Sequence, residues 1–142
     1  MKLIKIKKFK SEVSSFLYDL RNKHYVRKKS LDKKKIKVRD HKRWIEKFFS
    51  RKNFIYVVLK KKKMIGYIRF EKIKGIYNVS WAIRKNFQKQ GIIKNGLLKT
   101  TKNKNLKYKA IILENNKPSI KVAMYANFKL KYKKNNQYYL YK

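Results

Sequence analysis

The stretch Asn78-Val-Ser-Trp-Ala-Ile-Arg-Lys-Asn-Phe-Gln-Lys-Gln-Gly-Ile-Ile-Lys-Asn-Gly-Leu-Leu98 constrains this chain more than any other. Val79 to Ile83 is rich in β-branched and aromatic residues and predicts a strand. From Gly91 on, Ile92, Ile93, Leu97 and Leu98 share one side at helical spacing. Between them lies the basic turn Gln88-Lys-Gln-Gly91. A glycine at a helix mouth lets another molecule approach the backbone, because no Cβ stands in the way. The first amides of a helix are unpaired and sit at the positive end of its dipole, which favours phosphate oxygens. Many strand-to-helix junctions carry a glycine and bind nothing, so the turn alone leaves both readings open.

The rest of the chain arranges itself around that unit. Lys2 to Phe9 alternates apolar residues with lysines and predicts a strand, followed by a helix over Val13 to Leu20 that Ser11 or Ser14 would cap. The polar segment from Asp19 to Ser30 predicts a surface loop or frayed helix, and Lys33 to Lys37 a solvated basic run. Asp40 to Ser50 predicts a second helix, with Trp44, Ile45, Phe48 and Phe49 on one face. Phe54 to Leu59, Met64 to Phe70 and Ile76 to Ile83 read as an antiparallel meander. After the helix from Gly91 to about Lys102, Tyr108 to Leu113 predicts a strand. Asn116 with Pro118 starts a helix running to about Asn127. Phe128 to Lys133 and Gln137 to Tyr141 close the order as strands. This is an α/β arrangement on a mixed, mostly antiparallel sheet flanked by about four helices.

At 142 residues the chain is expected to form one domain, residues 1–142. It has no cysteine, which excludes thiolate chemistry and disulfides, and its composition suggests no metal site. No apolar run reaches the ~18 residues of a membrane span, and the N-terminus lacks the continuous apolar core of a signal peptide. A cytoplasmic location is expected. The 43 basic against 7 acidic residues give a formal charge of +36. Such a surface attracts polyanions non-specifically whatever its fold. Lys, Asn, Ile, Tyr and Phe are all abundant and all have A/T-rich codons, so coding bias explains the charge better than a selected nucleic-acid surface does.

Two motifs together resemble the GNAT superfamily of acetyl-CoA-dependent N-acetyltransferases. Gln88-Lys-Gln-Gly91 resembles its (Gln/Arg)-x-x-Gly-x-(Gly/Ala) pyrophosphate loop, after the appropriate strand. Glu114-Asn-Asn-Lys-Pro-Ser-Ile120 resembles its later Asn-x-x-Ser helix start, and Asn127-Phe128 stands where a Gly-Phe pair usually ends that helix. The element order matches from about Leu3 to Leu130. Upstream, Leu20-Arg-Asn22, Val26-Arg27-Lys-Lys-Ser30, His41-Lys-Arg-Trp44 and Ile65-Gly-Tyr-Ile-Arg-Phe70 resemble a branch that acetylates nucleotide-linked amino sugars for nonulosonic acids and other surface glycans.

The resemblance implies acetyl-CoA as co-substrate, with no metal, and a small amine acceptor. Its pyrophosphate would rest on the loop of Gln88, Lys89, Gln90, Gly91, Ile92 and Ile93, with charge from Lys89 and Lys94. The edge of the strand at Trp81, Ala82 and Ile83 would pair with the pantetheine arm, and Asn116 and Ser119 would hold its far end. Arg21, Asn22, Arg27, His41 and Trp44 would line the acceptor side. A neutral amine would attack the thioester directly, a base taking its proton. His41 and Glu71 are the candidate bases, with Ser80 positioning a water. Packing beside Trp44 accounts for His41 equally, and pairing with a lysine accounts for Glu71. The sequence departs from the family pattern at Ile93, which replaces a small residue, and at Ala123, where a tyrosine often serves as acid. Two other functions compete: acetylation of a protein amine such as a ribosomal-protein N-terminus, and non-catalytic nucleic-acid binding, which rests on charge alone.

Overall fold

The strands follow the β-branched and aromatic clusters, which suit a pleated, half-buried surface. In the computed structural model, which describes residues 1–142, they are β1 (Lys2–Ile6), β2 (Phe54–Lys60), β3 (Lys63–Ile73), β4 (Ile76–Ile83), β5 (Tyr108–Leu113), β6 (Lys129–Lys134) and β7 (Gln137–Tyr141). The helices are α1 (Ser11–Arg21), α2 (His24–Arg27), α3 (Val38–Ser50), α4 (Ile92–Thr100) and α5 (Lys117–Tyr125). No helix is long and apolar enough to cross a membrane.

The strands form one sheet in the order β1-β2-β3-β4-β5-β7-β6. Every pairing is antiparallel except β4 with β5. That parallel pair is held only at Tyr77–Tyr108 and Asn78–Lys109. From Val79 onward β4 keeps β3 on one side and has no strand on the other, while β5 continues on β7 alone. The sheet thus opens in a notch, whose two rims carry backbone N–H and C=O groups that no neighbouring strand satisfies.

Period-two alternation divides the core between the faces. Ile68, Phe70 and Val79 face α4 and α5, packing with Leu97, Ala123, Phe128 and Leu140. Tyr67 and Ala82, opposite one another in the β3–β4 ladder, face α1 and α3 and pack with Phe16, Leu17, Leu20 and Phe48. Burying such a side chain is worth about 1.5–3 kcal/mol, so each helix is fixed by its apolar stripe more than by its caps. α1 illustrates this: its N-cap is Lys10, with no side-chain cap bond. Ser14 does not cap it but is buried and bonds to α3.

Several boundaries differ from expectation. β1 stops at Ile6, and Phe9 is exposed, because the chain must turn there to enter α1. β3 runs on to Ile73, carried by its full pairing with β4. Five helices form, α2 being a single turn. In the following segment, residues 28–37, Lys33, Lys34, Lys35 and Lys37 are exposed as expected of a solvated run, but its backbone is anchored. Asn22 latches it: its Nδ2 donates to the Ile36 carbonyl at 2.9 Å and its Oδ1 accepts from the Ile36 amide at 2.7 Å.

Candidate active site

β4 leads through a 3-10 turn (Lys85–Phe87) into the glycine turn and α4. Lys89 (φ 62°) and Gly91 (φ 74°) are both left-handed. Left-handed residues among right-handed ones turn successive N–H groups to one side and make an anion-binding concavity. Gly91 caps α4 without any side-chain bond. The amides of Lys89 through Lys94 donate to nothing within the protein. The Gln88 amide is different: it is committed to the Lys85 carbonyl at 3.2 Å, so the free run starts one residue later than expected and reaches Lys94. Gln90 is tied down by its side chain, donating to the Asn86 carbonyl and accepting from Lys60 Nζ. The Lys94 ammonium lies 4.5 Å from the Tyr125 ring centroid. Ile93 is 6% exposed and packs in the α4–α5 core, so its bulk points away from the free amides and does not crowd them.

Beside the notch lies a cavity of about 330 Å³. Ser80 and Trp81 of β4, Ile111 and Ile112 of β5, and Asn116 and Ser119 at the start of α5 form one wall. The opposite wall is Arg21, Tyr67, Arg69 and the latched segment, with Asp32 as the cavity's one carboxylate. Asn116 Oδ1 accepts from the Ser119 amide at 3.4 Å and so caps α5, which leaves its Nδ2 uncommitted. Ala82 is buried against α1 and α3, and Ile83 lies at the far end of the β4 rim. Lys29 reaches across to the Asn115 carbonyl at 3.3 Å, closing one side of the cavity.

The expected acceptor residues divide. Arg21 lines the cavity, and Trp44 stands behind it, its ring centroid 4.4 Å from the Arg21 guanidinium carbon. Asn22 and Arg27 face the chain instead: Asn22 is the latch, and Arg27 Nε donates to the Asn22 carbonyl at 3.1 Å. Glu71 sits two ladder pairs beyond Arg69–Ser80, opposite Asn78, and is not a cavity residue.

His41 is not a cavity residue either. It is 3% exposed, between α1 and α3. Its Nε2–H donates to the Ser14 carbonyl at 3.0 Å, with Ser14 Oγ at 3.1 Å, and Tyr18 and Trp44 pack around the ring. Nδ1 is buried without a partner. A general base must reach the proton it removes; this imidazole is walled off, so the geometry favours packing over catalysis. Burial, and secondarily the Arg21 charge, hold its pKa below the ordinary value of 6.5. A depressed histidine stabilises the fold fully above its unfolded pKa, and that stability is lost as pH falls toward the folded pKa. Stability is therefore expected to drop on acidification below about pH 6.5, by up to about 1.4 kcal/mol per pH unit from this one site. Denaturant melts of wild type and His41→Gln at pH 5 to 8 check this; equal slopes for the two proteins would refute it.

Asp32 was not marked by the sequence, and Tyr67 and Arg69 entered only within the segment Ile65–Phe70, without a role of their own. Asp32 stands next to a lysine run with no periodicity to mark it. Tyr67 and Arg69 are alternate residues of β3, and only the sheet's facing shows that both turn toward the cavity. Tyr125, two residues past Ala123, lies over α4 near Asn95 and is no substitute for the absent tyrosine.

With this geometry in hand, the comparison with known families is decisive: residues 6–129 match the acetyltransferase (GNAT) domain. The chain belongs to the GNAT family. Its members are acetyl-CoA-dependent N-acetyltransferases, and this GNAT chain is an acyltransferase of that kind. Among solved structures, the Campylobacter jejuni N-acetyltransferase PseH in complex with acetyl coenzyme A is similar over 99% of this chain and 96% of its own, with TM-score 0.71 and 18% identity. A ribosomal-protein-alanine N-acetyltransferase from Brucella melitensis is similar over 100% and 99%, with TM-score 0.79 and 13% identity. AAC(6')-Ib in complex with paromomycin and acetyl-CoA is similar over 100% and 93%, with TM-score 0.80 and 10% identity. At these identities the likeness concerns the fold. No curated protein is a significant sequence match.

Proposed function

We propose that this GNAT domain, residues 1–142, transfers an acetyl group from acetyl-CoA to a primary amine on a nucleotide-linked amino sugar. The observation that carries this reading is the juxtaposition of the free amides of Lys89 to Lys94, the unpaired β4 rim and the cavity beside it. In this reading the amides and Lys89 hold the pyrophosphate, and the rim from Trp81 to Ile83 adds the pantetheine arm as an extra strand. Asn116 Nδ2 and Ser119 then meet its far end. The acceptor occupies the cavity, whose volume suits one small ligand.

The amine nitrogen attacks the thioester carbonyl carbon, forming the C–N bond as the C–S bond breaks. The ammonium proton leaves through water held at Ser80, and the departing thiolate takes up a proton to become the free thiol. Of the three catalytic candidates, Ser80 is the one at the cavity. Asp32 is the carboxylate available there to receive the proton. Positioning supplies most of the acceleration in such a scheme.

An acceptor screen with free-thiol detection tests the reading. A nucleotide-linked amino sugar is expected to turn over at least tenfold faster, in kcat/KM, than aminoglycosides or peptide N-termini. Preference for a peptide amine would replace this reading with the protein-acetylating one. Failure to bind acetyl-CoA by titration calorimetry would remove both.

A further inference from the structure

The cavity wall holds two guanidinium groups, and neither forms an ion pair with a carboxylate. Arg21 comes from the end of α1 and Arg69 from the middle of β3, and both line the cavity. Trp44 of α3 carries both: their guanidinium carbons lie 4.4 and 5.3 Å from its ring centroid. Neither side chain donates a hydrogen bond within the protein, although each offers five N–H groups. Neither joins an ion pair; the two that exist, Lys23–Asp19 and Arg84–Asp19, share one carboxylate that is not a cavity residue. Asp32 and Glu71 are near enough to be felt by Arg21 but make no contact with it. Arg21 Nη1 is itself buried without a partner.

Partly buried charges are ordinarily paired, because removal from water costs several kcal/mol per ion. Burial, and next the Arg69 charge, depress the Arg21 pKa against the smaller opposing pull of Tyr67, Asp32 and Glu71. Coding bias does not explain this pair. Only seven of the 43 basic residues are arginine, and a lysine would meet that bias better at either position. A planar fork, unlike an ammonium, reads two oxygens of one group at once. The cation–π contact of each with Trp44 restricts both side chains before any ligand arrives.

We infer that Arg21 and Arg69, held on Trp44, form an anion-binding subsite in the cavity, so that the amine acceptor carries a phosphate or carboxylate group. This rests on reading the cavity as the acceptor site and assigns the residues that hold the acceptor's anionic group. The same two charges repel polycationic acceptors of the aminoglycoside type. Trp44 then acts as a positioning residue, touching no ligand itself.

The test saturates the protein with CoA, so that the amides ahead of α4 are occupied, and then titrates inorganic pyrophosphate at 150 mM salt. Glutarate is titrated in parallel to distinguish a carboxylate from a phosphate source. One equivalent of at least one anion is expected to bind. Arg69→Gln is expected to weaken it tenfold or more, and Arg69→Lys by an intermediate amount, since charge survives without the fork. Lys47→Gln, which removes an equal charge from the exposed side of α3, is expected to change it less than twofold. Equal losses in Arg69→Gln and Lys47→Gln, or no binding of either anion, would overturn the inference. CoA affinity, measured first in every variant, reports separately on the proposed function, and a melting curve for each confirms that it is folded.

Discussion

Gly91→Glu is expected to abolish measurable acetyl-CoA binding while leaving the protein folded. At φ 74° any Cβ brings strain, about 1–2 kcal/mol for a left-handed residue. The steric cost is small, because the nearest atom to a built Cβ is Lys94 Cε at 3.2 Å, the end of a flexible side chain. The electrostatic effect dominates. A carboxylate placed against the free amides of Lys89 to Lys94 competes for them and repels the pyrophosphate. At ~4 Å and an effective dielectric near 20, each pair of like charges costs about 4 kcal/mol, a thousandfold in affinity. Gly91→Ala bears the same backbone strain without the charge and should lose only several-fold. Calorimetry on both variants decides it. If Gly91→Glu binds like wild type, the cofactor's phosphates rest elsewhere.

Gly66→Val is expected to produce the largest loss of stability among single changes near the site. Gly66 faces Ile83 in the β3–β4 ladder. A Cβ there would stand 2.8 Å from the Ala82 carbonyl oxygen and 3.3 Å from Ile83 Cα. Both are backbone atoms of a central strand, held by a full ladder on the β3 side, so neither yields cheaply. Overpacking of this kind costs about 3 kcal/mol, which for a domain of this size lowers Tm by about 10 °C. A fall of less than about 2 °C in calorimetric Tm would show that the ladder can part there at little cost. Because the strain falls on the stretch of β4 that forms the notch rim, acetyl-CoA affinity should fall alongside stability.

The elements were legible where a local pattern sufficed. Trp44, Ile45 and Phe48 at helical spacing, the apolar run from Phe54 to Leu59, and Asn116 ahead of Pro118 each report their own conformation. So did the loop, since a glycine between strand and helix is a local device, and there the family motif coincided with the free amides. The acceptor side was not legible in the same way. Arg21 and Trp44 stood out only through resemblance to a family branch, and Asn22 and Arg27, carried along with them, turned out to hold the chain. His41 looked like a base because its residue type suits proton transfer. Nothing local announces that Ser14, 27 positions earlier, takes up its Nε2. Arg69 and Asp32 reach one cavity from β3 and from the segment after α2, and no periodicity encodes such a convergence.

The two-residue seam between β4 and β5 carries a thermodynamic consequence. The sheet's last three strands are zipped to one another, but to the rest of the sheet they are stitched only at Tyr77 and Asn78. A molecule spanning that seam would splint the halves together, adding RT ln(1 + [L]/Kd) to the free energy of unfolding. Resistance to heat, protease and dilution would then follow the supply of co-substrate, so that a starved protein and a fed one differ in lifetime as well as in work done.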